Sequence, residues 1–179
     1  MDAHAALTLL RQGLPLEDAR VAGVLSLREI MDQQDAIKHP VVIRRCVLEK
    51  LWTSFVMFEA PVVLEDVDVE GTSELDGCFF PTGFSAVRCR FKGGFRMCWG
   101  GHNSNGAEFR FEDCEFDGFA NFEDEWFMGP VVVRGCAFRG GANLLALKGD
   151  PWAVRFDVAP LIESNTGRMD ESEAAHPDR

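Results

Sequence analysis

The chain has 179 residues, 46% hydrophobic and 26% charged, which suits one globular domain with a continuous core and excludes a disordered chain or two full domains. Eighteen Lys and Arg against 29 Asp and Glu leave a formal net charge of −11, a balance that phosphate backbones and anionic lipid surfaces repel. No run approaches the roughly 18–20 apolar residues of a membrane span, and the start MDAHAALTLLRQG lacks the basic flank and apolar stretch of a signal peptide. The expectation is a cytoplasmic protein with no membrane contact and no direct nucleic-acid contact.

Residues 3–13 read as a short amphipathic helix, with Leu7, Leu9 and Leu10 on its apolar side and Gly13 as the stop. Residues 16–27 alternate apolar and polar, as an atypical first turn of the repeat that follows. Residues 27–38 look helical up to His39-Pro40, because the residue before proline disfavours the α region. Residues 1–40 are therefore expected to form an N-terminal cap.

From Val41 to about residue 151 the sequence repeats itself. Five segments, starting at Val41, Val62, Ser85, Phe109 and Val131, align on a small residue followed two positions later by a large apolar one. The small column is Cys46, Val67, Cys89, Cys114 and Cys136, with spacings of 21, 22, 25 and 22. The large column is Leu48, Val69, Phe91, Phe116 and Phe138. A second pair of columns lies about eight residues on: Ser73, Phe95, Ala120 and Ala142 precede Leu75, Met97, Phe122 and Leu144, with Ser54 or Phe55 as a poorer fit in the first copy. Units this short, rich in Phe, Val and Gly, suit turns of a parallel β-helix, whereas helical repeats need about 33 residues or more. No unit can bury its apolar face alone, so stacking creates the core.

The steps Cys46-Val-Leu48, Cys114-Glu-Phe116, Ala120-Asn-Phe122, Cys136-Ala-Phe138 and Ala142-Asn-Leu144 resemble those of the pentapeptide-repeat family over about residues 40–147. The resemblance implies an all-β, right-handed parallel β-helix of about five coils with a short N-terminal helical cap, here in a divergent, Phe-centred form with insertions. Residues 152–162 would close the last coil or contribute a homodimer contact at the C-terminal end. Residues 163–179, polar and ending near proline, are expected to be disordered.

Arg44, Glu65, Arg88, Glu112 and Arg134, near the first apolar centre of each copy, alternate in sign and predict a cross-rung charge ladder. Some members of the resembled family imitate DNA and occupy type II topoisomerases, which makes a DNA-mimicking antagonist or protector of a DNA-binding protein the alternative function. The alternating ladder cuts against a sustained negative stripe. The leading expectation is a non-catalytic protein-interaction module with an unidentified protein partner.

Four of the six cysteines share one repeat column and Val67 takes the same slot, so they read as small core fillers; no cofactor or metal is expected. Cys98 and His102 are the one local pair with nucleophile-and-base character, a remote third reading. They lie in the stretch that lengthens the third coil, and insertions in solenoids often form the binding side. Trp99, His102, Asn103, Ser104 and Asn105 are therefore the candidate recognition loop. The run Glu123-Asp124-Glu125 reads as a solvated corner.

Overall fold

A computed structural model describes residues 1–104, 106–145 and 151–171. It shows a right-handed β-solenoid of about five turns with one short N-terminal helix. The helix, Ala3–Arg11, starts where the Asp2 carboxylate accepts a hydrogen bond from the Ala5 N–H. Ala6, Leu7 and Leu10 are buried against the first turn. An apolar stripe laid across an open sheet end covers strand edges that would otherwise pair with another chain.

Each turn has four short sides, and every pairing is parallel. The first side stacks Leu16–Glu17, the start of Val41–Ser54, the start of Val62–Val69, Phe84–Val87, Phe109–Glu112, Val131–Arg134 and Leu161–Glu163. The second carries the cysteine column, in the register Cys46, Val67, Cys89, Cys114, Cys136 that the sequence spacing predicts. All four cysteines there are buried and unbridged. The third side pairs Leu51, Ser73, Phe95, Ala120 and Ala142. The first copy thus enters through Leu51 and Thr53, not Ser54 or Phe55. The fourth side pairs Ala36, Met57, Phe79, Gly101, Trp126 and Arg155.

Phenylalanines fill the axis. Phe91, Phe116 and Phe138 stack with centroids 5.1 and 4.8 Å apart, and Phe95 and Phe111 meet Phe116 edge-on. Such offset and edge contacts add to the area that each ring buries.

Two corners hold a column of left-handed backbone. Before the second side, Asp18, Arg45, Asp66, Arg88, Asp113, Gly135 and Ser164 all have φ between 49° and 66°. A side chain in this region costs about 1–2 kcal/mol, least for glycine, asparagine and aspartate. Arg45 and Arg88 are held by bidentate contacts to the rung below: Arg45 to Asp18 at 2.7 and 2.9 Å, and Arg88 to Asp66 at the same distances.

The charge ladder exists with one correction. Val87, not Arg88, stands in the column of Arg44, Glu65, Glu112 and Arg134. Arg88 is one residue on, at the corner, and reaches back to both Glu65 and Asp66 at 2.7 Å. Arg44 joins Glu17 and Glu65, and Arg134 joins Glu112 and Glu163. These pairs are solvent-exposed and each is worth at most about 1 kcal/mol, so they fix register more than they add stability.

Two further expectations change. Residues 27–38 are not one helix: a 3-10 turn covers Leu27–Ile30, and Ala36–Ile37 is already a strand. The Asp32 carboxylate turns the chain between them by accepting from the Gln34 and Ala36 N–H groups. The presumed tail remains in the solenoid through Glu171, with Leu161–Glu163 and Thr166–Gly167 paired to the coil before. Asn165 staples it, accepting from the Cys136 N–H and donating to the Val133 carbonyl at 2.8 Å each. The rest of the predicted tail, residues 172–179, lies outside the described residues.

Candidate recognition face

The fourth side differs from the others in what it shows to solvent. Its approach corner, Phe55, Gly77, Trp99 and Asp124, is the second left-handed column, with φ of 55°, 63°, 63° and 53°. Glycine and aspartate accept this conformation readily; a bulky aromatic there is an outlier. Burial does not compensate, because Phe55 is 60% exposed and Trp99 46%. Gly77 between them lets the Phe55 ring lie over its backbone, in the space that a Cβ would fill. Trp152, also exposed, sits one residue before the corner, its carbonyl accepting from the Asp124 N–H. The exposed aromatic side chains among the described residues are these three.

Past the corner, the outward positions are Met57, Phe79, Trp126 and Arg155, with Gly101 in the third of five rungs. Gly101 and His102 both have positive φ, 83° and 45°, and the His102 ring, one residue on, joins the outer aromatic contacts. It lies between Phe79 (4.7 Å) and Trp126 (5.3 Å). The Arg155 guanidinium sits 5.1 Å from the centre of Trp126, and the Trp126 indole N–H donates to Asp157. A continuous outer ladder results: Phe79, His102, Trp126, Arg155. Burial lowers the affinity of His102 for a proton, the Gly100 carbonyl partly restores it, and Arg155 lowers it further.

Glu125 is buried, where a solvated corner was expected. By register it belongs to the inward column of Val56, Cys78 and Gly100, one residue before the outward positions. The Glu125 carboxyl accepts from the Gly100 N–H at 2.9 Å, in space that a side chain at position 101 would fill. Its other oxygen, beside Gly101, has no hydrogen-bond partner. Burial chiefly, with Asp76 and Asp124 adding to it, raises the Glu125 carboxyl well above the ordinary glutamate range, and the Gly100 N–H opposes this. Burial therefore favours the neutral carboxylic acid over the carboxylate at this position. The bond from Gly100 to Glu125 ties this rung to the one before it.

The predicted loop resolves into separate parts. Trp99 is a corner residue and His102 part of the outer ladder. Asn103 is fully buried and structural: it donates to the Ala107 and Pro130 carbonyls and accepts from the Gly129 N–H. Ser104 is exposed, and Asn105 lies outside the described residues. Cys98 is buried, its thiol directed at the Asn121 carbonyl, and burial raises its pKa strongly. Burial likewise pushes the Cys78 thiol up to about 12. Neither thiol has the exposed, thiolate-favouring setting of a nucleophile, and no hydrogen bond joins Cys98 to His102. Among the described residues no group of three or more His, Cys, Asp or Glu is placed to hold a metal ion, and no helix is long and apolar enough to cross a membrane.

As residues of this face, Phe55, Met57, Phe79, Trp126, Trp152 and Arg155 escaped the sequence reading. Their signal was a common offset from the repeat columns, obscured by the poor fit of the first copy. Comparison with family models, curated proteins and solved structures finds no match for this chain.

Proposed function

We propose that the protein is a non-catalytic β-solenoid that docks a protein partner on its fourth side, in the manner of a divergent pentapeptide-repeat scaffold in the cytoplasm. The observation that carries this reading is the placement of Phe55 and Trp99, two exposed aromatics, in left-handed backbone that neighbouring rungs give to glycine and aspartate. Strain without burial has no role in holding the coil, and such outliers gather at contact sites. Imitation of DNA has less support: on the first two sides carboxylates such as Glu65, Asp66, Glu115 and Asp117 are paired with arginines of adjacent rungs.

The test is affinity capture from the native host with wild type, a Phe55→Asn/Trp99→Asn variant and an Arg45→Asn variant on the opposite corner column. A partner retained by wild type and Arg45→Asn but lost from the aromatic double variant supports the reading. Equal retention by all three would remove it.

A second copy at the C-terminal end is an additional contact that the last coil favours. Phe156, Ile162 and Met169 are only partly buried there, and Val158 and Leu161 are 45% and 40% exposed. Sedimentation equilibrium should show a concentration-dependent dimer that Leu161→Glu abolishes; a wild-type monomer at high micromolar concentration would rule this contact out.

A further inference from the structure

The fourth side combines two chemistries that the other sides separate. Its aromatic strip is flanked by exposed carboxylates: Asp35 just before Ala36, Glu59 after Phe58, and Asp157 after Phe156, with half-buried Asp124 at the corner. Asp35 makes no ion pair, Glu59 stands beside Lys38, which is itself paired with Asp32, and the Asp157 side chain bonds the Trp126 indole. Arg155 is the cation within the strip, 3.7 Å from Asp124. On the second side, by contrast, Glu115 and Asp117 each meet both Arg90 and Arg139.

The rings already show which partner chemistry they accept. Arg155 lies over Trp126, and the Arg96 guanidinium is 5.9 Å from the centre of the Trp99 ring. An indole face flanked by carboxylates favours a guanidinium or ammonium, since the ring quadrupole and the anions attract the same charge. An anionic segment would meet the same carboxylates as like charges.

We propose that the segment received by the fourth side is an extended, arginine- or lysine-bearing stretch of the partner protein. This rests on the reading of that side as the docking surface. From Met57 to Arg155 the strip spans four rung intervals, about 19 Å at ~4.8 Å each, which accommodates about six residues of extended chain. Cationic side chains at alternate positions would face the strip, stacking on Phe55 and Trp99 at its corner and reaching Asp35, Glu59 or Asp157 at its margins.

Isothermal titration with the synthetic peptide Gly-Arg-Gly-Arg-Gly-Arg-Gly and its Glu counterpart tests this on the full chain. Because a protein of net charge −11 attracts any polycation, the deciding comparison holds charge constant. Phe55→Ser/Trp99→Ser should weaken the arginine peptide about tenfold, the scale of two exposed cation–π contacts. Glu59→Gln/Asp157→Asn should weaken it further than the charge-matched Glu49→Gln/Asp113→Asn, placed elsewhere. The Glu peptide should not bind. Equal affinity for wild type and Phe55→Ser/Trp99→Ser, or no arginine-peptide binding at millimolar concentration, overturns the proposal. If the captured partner still requires Phe55 and Trp99 in that case, only its cationic character is wrong; if it does not, the docking surface is wrong as well.

Discussion

Replacing Phe116 with alanine should lower the unfolding free energy by about 3–5 kcal/mol, the range for truncating a fully buried aromatic. The ring is 0% exposed and sits in the middle of the axial stack, with Phe91 below, Phe138 above and Phe95 and Phe111 at its edges. Its loss removes contacts to three successive coils, and the neighbours cannot collapse into the gap because their backbones are fixed by ladder bonds on both sides. Urea unfolding followed by circular dichroism measures the loss. A solenoid transmits stability through nearest-neighbour interfaces, so the transition should broaden if the two halves separate. A change below about 1 kcal/mol would mean that the axis is not close-packed as described.

Glu125 should show a different signature, in pH and not only in stability. Glu125→Ala removes the acceptor of the Gly100 N–H and opens a cavity, for an expected loss of about 2–4 kcal/mol. Glu125→Gln keeps an acceptor, fills the same volume and cannot ionise. The folded-state pKa of Glu125 is raised above its unfolded value. Its neutral form therefore gives full stability below the ordinary glutamate pKa of about 4.3. Above that pH the unfolded chain releases the proton first, and stability declines until pH passes the folded value, by up to about 1.4 kcal/mol per pH unit. Wild type should thus lose ground to Glu125→Gln from about pH 5 upward. Parallel stability curves for the two over that interval would show that Glu125 is ionised in the fold.

What the sequence made legible is what the core constrains. Cys46, Cys89, Cys114 and Cys136, with Phe91, Phe116 and Phe138, stand at fixed positions because stacked rungs share one volume, and volume is written in residue type. The corner columns are written more weakly. Arg88 took the place of Val87 in the predicted ladder because a left-handed corner admits Asp, Gly, Ser and, when paired across rungs, Arg; no single residue type marks it.

The candidate recognition face was only partly visible, for related reasons. Trp99 and His102 stood out beside an insertion, but Phe55 belonged to the copy with the poorest alignment. Glu125 looked solvated because its neighbours in sequence are acidic; it is buried because Gly101, 24 residues earlier, leaves room for it and the Gly100 N–H meets it. That relation exists only between rungs. Asn165 ties down a segment whose composition reads as disordered in the same way, through bonds to Val133 and Cys136.

Under the proposed function, Phe55 and Trp99 are kept on their corner against the preference of the backbone, for contact and not for folding. The unfolding free energy of Phe55→Asn/Trp99→Asn tests it most directly, since asparagine tolerates left-handed backbone and neither ring is buried. The variant should be at least as stable as wild type, and more stable by about 1 kcal/mol where strain is released. A loss of more than about 1 kcal/mol would contradict it, because the two rings would then belong to the packing of the solenoid and not to a surface held open for a partner.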